Sequence, residues 1–278
     1  MDRTKLIVVR GAGDIATGTI CRLHRCGFKL LLLETKNPTA IRRAVSLAGA
    51  VYDGTHTVEG VTAERIENIA ECNDIWRKGW VPVLVDPEAG CLKNNTIKPL
   101  AVVDAILAKK NCGTTINMGD ITIGLGPGFC AGLDVDVVIE TNRGHDLGRV
   151  IVNGTASANT GVPGAINGFT TERVIYAPCR GLLSVKKHIG SIVQQGELLA
   201  EIDKTRILAP IGGLLRGMLC DRSLVYKRLK IADIDPRYSE RNPCFTTISD
   251  KARCISGGVL EALFLLLNSE ANDRHKGH

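Results

Sequence analysis

Over the first 140 residues the hydrophobic positions fall into short continuous runs separated by amphipathic or polar stretches. Lys5-Leu6-Ile7-Val8-Val9, Phe28-Lys29-Leu30-Leu31-Leu32-Leu33 and Val81-Pro82-Val83-Leu84-Val85 are such runs. Apolar stretches of this length predict strands buried on both faces of a parallel sheet. Residues 14–26 instead have helical spacing, with Ile15, Ile20 and Leu23 toward the sheet and Gly27 as the stop. Pro38 and Thr39 open a second predicted helix, which runs through Ala40 to Ala48. Residues 69–78 predict a third, and residues 98–110 a fourth with Pro99 in its first turn. Residues 51–60 read as a hairpin turning at Asp53-Gly54. Thr122-Ile123 leads a strand into Gly124-Leu125-Gly126-Pro127-Gly128-Phe129, and residues 134–141 predict another strand. This alternation predicts an α/β, doubly wound, Rossmann-like domain over residues 1–172, its last stretch, 150–170, an irregular connection.

The pattern then changes. Residues 175–203 align without gaps to 207–235, with eleven identities in 29 pairs. Ala177-Pro178, Gly181-Leu182-Leu183 and Ile202-Asp203 recur as Ala209-Pro210, Gly213-Leu214-Leu215 and Ile234-Asp235. A repeat of this period predicts duplicated supersecondary units, here a small β domain over residues 173–238 with pseudo-two-fold symmetry. Residues 239–278 close the chain with a predicted helix from about residue 250 to 268 and a tail from Glu270 read as disordered. Gly257-Gly258 is unfavourable inside a helix, so it predicts a close backbone approach there.

Composition narrows the classes. The 278 residues carry 35 basic and 29 acidic side chains, a net charge of +6, and only 4% are aromatic. Basic residues are scattered and stacking platforms scarce, which argues against a nucleic-acid binder. The mild excess suits anionic ligands. No secretory leader is read at the start, and the apolar run 263–267 is too short to span a bilayer. The expected location is cytoplasmic. Ten cysteines without a Cys-x-x-Cys pair then read as reduced thiols, mostly buried, with no metal site.

Candidate chemistry collects at strand ends. Gly11-Ala12-Gly13-Asp14-Ile15-Ala16 follows the first strand directly and opens a helix. Two glycines, a small residue and a helix amino end at that place are what a phosphate requires. Glu34, 21 residues past Gly13, stands where a dinucleotide fold places an acid on a ribose hydroxyl. Gly126 and Gly128 are candidates for a second anion-binding nest. Glu140, Arg143, His145 and Arg149 crowd one strand end. There the arginines are candidates for a phosphate or carboxylate, and His145 for an acid/base. Cys130, just past the second glycine loop, is the candidate reactive thiol.

Two resemblances add to this reading. Ala177-Pro178, Gly181, Ile189-Gly190, Gly196-Glu197-Leu198-Leu199-Ala200-Glu201-Ile202, Ala209-Pro210 and Gly213 resemble the barrel-sandwich hybrid of biotinyl and lipoyl carrier domains. Asp203-Lys204-Thr205-Arg206 departs from the carriers' attachment hairpin, so docking, dimerisation or positioning is the expected role. The stretches 10–18, 124–129, 139–149, Asp235-Pro236-Arg237 and 249–262 together resemble the YqeB-type family, accessory proteins of the selenium-dependent molybdenum hydroxylase system. That likeness implies a maturation factor for xanthine- or purine-dehydrogenase-like enzymes. The ligand would be a nucleotide, NAD(P) or a molybdopterin dinucleotide; the partner would be the hydroxylase client. The final helix and the repeat domain suggest a homo-oligomer. Two other readings stand beside this one: an NAD(P)-dependent oxidoreductase using His145, and a non-catalytic docking module.

Overall fold

The computed structural model describes residues 5–95, 97–159, 161, 168–237 and 244–276. The chain divides into two compact units. The first comprises Met1–Pro38, Leu47–Asn159 and Ile248–His278; the second comprises Thr39–Ser46 and Thr160–Thr247. The fold is mixed α/β, with one largely parallel sheet, several antiparallel sheets and a C-terminal helix.

In the first unit the chain forms β1 (Leu6–Arg10), α1 (Asp14–Arg25), β2 (Lys29–Glu34), α2 (Ala50–Asp53), β3 (Thr55–Val58) and β4 (Val61–Ile66). It continues through α3 (Cys72–Arg77), β5 (Val81–Val85), β6 (Ala101–Asp104), β7 (Ile121–Leu125), β8 (Cys130–Ala131), β9 (Val137–Ile139), β10 (Val150–Ile151) and β11 (Gly154–Thr155). Nine strands make one sheet in the order β10-β9-β7-β6-β1-β2-β5-β4-β3, while β8 and β11 pair separately. All neighbours in the large sheet are parallel except the edge pairs β3/β4 and β9/β10. β1 is central, and its residues Ile7, Val8 and Val9 are fully buried, as a strand covered on both faces demands.

The first strands, α1 and the 69–78 helix form where the sequence reading puts them; three other segments do not. Residues 98–110 form no helix. Ala101, Val102 and Val103 pair with β1 and β7 as β6, and Leu107 and Lys109 have φ of 61° and 64°, outside the helical region. A short apolar run has no period long enough to separate strand from helix, and pairing on both edges decides it here. Residues 38–48 hold only 3-10 turns, Arg43–Val45 and Leu47–Gly49. Ile41 is drawn into the second unit, where its carbonyl accepts from the Met218 amide at 2.9 Å. The hairpin turns at Glu59-Gly60, not at Asp53-Gly54, with φ of 46° and 81° at those two residues. Two successive positive φ values are what a two-residue hairpin loop needs.

The C-terminal helix, α4 (Asp250–Lys276), runs on past Glu270, where the sequence reading places a disordered tail. It packs within the first unit against α1. A Cβ on Gly18 would lie 2.8 Å from the Ala252 carbonyl, and Arg22 Nε donates to Ser256 Oγ at 2.8 Å. Both pairs advance by four residues in the same direction, so α1 and α4 are parallel and their amino ends lie side by side. The expected close approach at the glycine pair is made by Gly258, whose Cβ would collide with the Gly148 carbonyl.

The second unit contains β12 (Val174–Tyr176), β13 (Gly181–Val185), β14 (Ile192–Val193), β15 (Leu198–Ile202), β16 (Thr205–Leu208), β17 (Gly213–Met218), β18 (Leu224–Val225) and β19 (Lys230–Asp235). Its two sheets have the orders β12-β19-β17-β14 and β16-β15-β13-β18. The 32-residue repeat turns one sheet into the other, strand for strand. Leu183, Val193, Ala200 and Ile202 share one core with their repeat partners Leu215, Val225, Ala232 and Ile234.

Candidate functional site

Strand order locates the site. From β1 the chain moves to β2, crosses to the sheet edge at β3 and returns inward through β4 and β5, then passes to the other side of β1 as β6 and continues through β7 and β9. The direction reverses between β1 and β6, and the carboxyl ends of strands at such a switch point form a crevice suited to ligands. The glycine turn stands there.

Its two glycines have different reasons to be glycine. Gly11 has φ of 89° and donates to the Leu33 carbonyl at 2.7 Å; a Cβ on it would lie 2.9 Å from the Ala105 carbonyl. The fold itself requires it. Gly13, the N-cap of α1, has φ of −63°, which any residue adopts, and a Cβ there would meet nothing within 4 Å. Nothing among the described residues requires glycine at 13. Beyond it, the amides of Ile15 and Ala16 have no acceptor among the described residues, as expected for the first turn of a helix.

Glu34 is tied to this turn. Oε2 accepts from the Ala12 amide at 2.8 Å and Oε1 from the Thr35 amide at 2.7 Å. The acid expected on a ribose hydroxyl thus also staples the loop, and one amide of the turn is already taken. Thr17 adds a second tie, donating to the Gly13 carbonyl at 2.8 Å and accepting from the Leu47 amide at 2.9 Å. Asp14 begins α1, partly exposed.

In the second glycine loop, internal packing accounts for both glycines. The Cβ position of Gly126 is occupied by Thr141 Oγ1, and that of Gly128 lies 2.6 Å from the Lys110 backbone. Cys130 is partly exposed in β8, its amide donating to Asp134 at 2.8 Å.

The polar cluster at 140–149 separates on inspection. Glu140 is buried and accepts three amides, from Thr141, Asn142 and Ser157, each at 2.7 Å. Burial works to raise its pKa, but the Asn142 and Ser157 amides, the Ser157 hydroxyl and the Thr141 amide outweigh it and hold the carboxyl below its ordinary value. Arg143 reaches Asp250 at the start of α4 through two contacts of 3.0 and 3.3 Å. Arg149 pairs locally with Asp146 at 3.1 Å. His145 is exposed and makes no hydrogen bond or ion pair among the described residues.

Two features here escape sequence reading. Arg10, 1% exposed, donates to Thr114 Oγ1, to the Pro87 carbonyl at 2.8 Å and to the Cys112 carbonyl at 3.1 Å, and stands 3.6 Å from Asp104. It ties the loop after β5 to the loop after β6, and no local spacing announces contacts 77 to 104 residues away. The second is Lys251, half-buried in the first turn of α4. In sequence it is one charge among several after a helix cap. Only the parallel docking of α4 on α1 brings its helix turn beside α1.

The second unit has its own charge cluster. Arg216 bridges Asp233 and Asp235, Arg173 pairs with Asp233, and Arg237 donates to Asp235 at 2.7 and 2.9 Å. Burial favours protonation of Asp235, but the Arg237 hydrogen bonds and the charges of Arg216 and Arg237 prevail and lower its pKa. The repeat equivalents of Arg216 and Asp233 are Ser184 and Glu201, so the first copy has no counterpart of this Arg–Asp pair. Lys204 is exposed at the turn between β15 and β16.

No protein-family model matches the chain. Two solved structures of the ectoine utilization protein EutE (DoeB) from Ruegeria pomeroyi align with it, product-bound and apo, at 11% and 9% identity. They cover 84% of this chain and 85% and 86% of theirs, and a TM-score of 0.27 for each leaves that likeness without weight. The "Uncharacterized protein YqeB" of Escherichia coli (strain K12) is 51% identical over 264 residues, covering 95% of this chain and 48% of its own length. The chain thus spans about half of that relative. Identity of that level along nearly the whole chain supports the YqeB-type family as the family of this protein.

Proposed function

We propose that the first unit is a Rossmann-like domain that binds a phosphate-bearing nucleotide or dinucleotide at the crevice between β1 and β6. The bound species would be a nucleotide, NAD(P) or a molybdopterin dinucleotide, which make the same demands at their phosphates. The observation that carries this reading is Gly13. The backbone angles are ordinary and the space at its Cβ is open, so the glycine serves close approach by a group outside the chain. The free amides of Ile15 and Ala16 and the amino end of α1 face such a group with partial positive charge.

The wider role rests on the family likeness. In this reading the protein is an accessory factor in maturation of selenium-dependent molybdenum hydroxylases, and works in the cytoplasm. The second unit, a barrel-sandwich hybrid without a carrier lysine, and the exposed face of α4 would dock the client. The duplicated strands, with each sheet mixing both copies, support the hybrid reading.

Titration of the protein with NAD, NADP, ATP, CTP and molybdopterin cytosine dinucleotide tests the proposal. Binding of at least one, abolished by Gly13→Val in a protein that melts at the wild-type temperature, is the expected result. Binding of nicotinamide dinucleotides alone would shift the assignment to an oxidoreductase. Absence of binding to every compound, with tight capture of an apo-hydroxylase, would replace the ligand site with a docking role.

A further inference from the structure

The two sheets of the second unit are repeat equivalents, yet the chain covers only one of them with its own segments. At the sheet β12-β19-β17-β14 the Phe245 ring closes over Gly190, and Ile41 sits on Gly217; a Cβ at either glycine would lie 2.7 Å from that side chain. Leu214 there is 6% exposed. At the sheet β16-β15-β13-β18 the equivalents of Gly190 and Leu214 are Arg222 and Leu182, and both are exposed. Leu182 stands in register with Leu224 on β18, the strand that ends this sheet, so the two side chains share a face. Tyr226 lies two residues further on, and Arg180 stacks over its ring, 5.4 Å from the centroid. Leu182, Leu224 and Tyr226 are 54%, 47% and 52% exposed. This apolar strip has a basic rim. Arg222, Lys227 and Arg228 are exposed and make no ion pair among the described residues. The acids beside it, Asp203 and Asp221, accept from the Leu182 and Val185 amides at 3.1 and 2.8 Å. Residues 173–237 carry twelve basic and six acidic side chains, so the whole net charge of +6 falls in this stretch.

We propose that the Leu182/Leu224/Tyr226 strip is the docking surface of the second unit, and that its partner is a protein surface with apolar side chains set among aspartates and glutamates. This rests on the docking role given to the second unit above, is independent of the phosphate site, and names the place and the chemistry of the contact. Aliphatic side chains at the centre, a tyrosine with its arginine and a charged rim are the anatomy of a protein interface. The charge selects the partner. A second copy meeting the strip face to face would set cations against cations. A polynucleotide would find two leucines that cannot stack and one tyrosine already covered by Arg180. An acidic protein surface satisfies both the rim and the strip.

The probe is the purified apo form of a xanthine-dehydrogenase-like hydroxylase, titrated against the full chain. The wild type is expected to bind it, and to bind more weakly as salt rises from about 50 to 500 mM. Lys227→Glu with Arg228→Glu is expected to weaken binding about tenfold or more, and Leu182→Ser with Leu224→Ser to do the same at every salt concentration. Arg77→Glu with Lys98→Glu in the first unit changes the net charge equally and is expected to leave affinity within about twofold. Hydrogen exchange on the wild-type complex, which needs no variant to fold, is expected to show protection over residues 180–185 and 222–228. Full binding by both second-unit doubles, or protection confined to other segments, overturns this surface and leaves the docking role standing. A wild type that does not bind the hydroxylase overturns both. A dimer of the protein alone that the leucine double dissociates assigns the strip to a second copy, and retention of poly(U) lost in the Lys227/Arg228 double assigns it to nucleic acid; either result overturns the acidic protein partner.

Discussion

At the scale of single residues, the acids at the strand ends are carboxylates whose oxygens are already engaged by donors. Glu140 fixes the chain after β9 through three amides, and its depressed pKa makes that fixing depend on pH. The sign follows from linkage. The unfolded chain binds a proton near the ordinary value of 4.5, before the native carboxylate does. Its stabilisation is therefore complete above that value and is lost as pH falls toward the native pKa. Asp235 acts in the same direction in the second unit. Denaturant midpoints are expected to hold from pH 7 to about 5 and then to fall. Glu140→Gln is expected to flatten part of that acid slope; an unchanged slope would show that the three amides do not select the ionised form. Asp104 behaves differently, because burial pushes its pKa up while the Thr114 hydroxyl, the Ile106 amide and Arg10 pull it down. Asp104→Ala leaves the Arg10 guanidinium buried without its carboxylate, and a loss of about 3–5 kcal/mol in urea unfolding is expected. Some of these pairings are local, such as Glu140 with Thr141 and Asn142, but those of Glu140 with Ser157, Asp104 with Arg10 and Asp235 with Arg216 are not. Sequence shows that Glu140, Arg143 and Gly13 are placed at strand ends, but which of them is saturated and which is open depends on what the fold brings beside each one.

At the scale of elements, legibility follows the strength of the local pattern. The runs at β1, β2 and β5 are long, apolar and bounded by turns, so their strands and the helix after Gly13 are readable directly. β6 is not, because four residues after a proline fit either period, and only the unpaired edges of β1 and β7 decide. The segment 39–46 is lost to the second unit for a similar reason, its backbone bonds being made with a partner about 175 residues away. Gly257-Gly258 was legible as an anomaly, and the structure divides it. A Cβ on Gly257 would meet only Arg22 Nη1 at 3.7 Å, whereas one on Gly258 would collide with the Gly148 carbonyl. Gly257→Ala is expected to raise stability by about 0.5–1 kcal/mol, through helix propensity. Gly258→Ala should lower it by more than that, because the α4 backbone must withdraw from the 140–149 loop. Thermal melts of the two variants decide this, and shifts of the same sign would mean that the helix approaches the loop less closely.

At the scale of the whole molecule, the second unit shows what the internal repeat accomplishes. Each of its sheets takes two strands from each copy, through the pairs β12/β19, β14/β17, β15/β16 and β13/β18. Neither copy can complete a sheet alone, so the repeat is a closed pair and not the start of an array. The repeat was readable from identities, but the exchange of strands was not, because identity reports resemblance between copies and not which copy supplies the neighbour. Symmetry also makes a quantitative demand. Leu183 and Leu215 are repeat equivalents, 1% and 0% exposed in the same core. Truncation of either to alanine should cost about 2–5 kcal/mol, and the two costs should be close. Leu182 and Leu214 are equivalents too, yet Leu182 is 54% exposed and Leu214 only 6%. Leu214→Ala should therefore destabilise while Leu182→Ala changes stability by less than about 0.5 kcal/mol. Equal losses at 182 and 214 would mean that Leu182 is covered in solution, and would turn that exposed leucine into a marker of the docking face that the proposed function assigns to this unit.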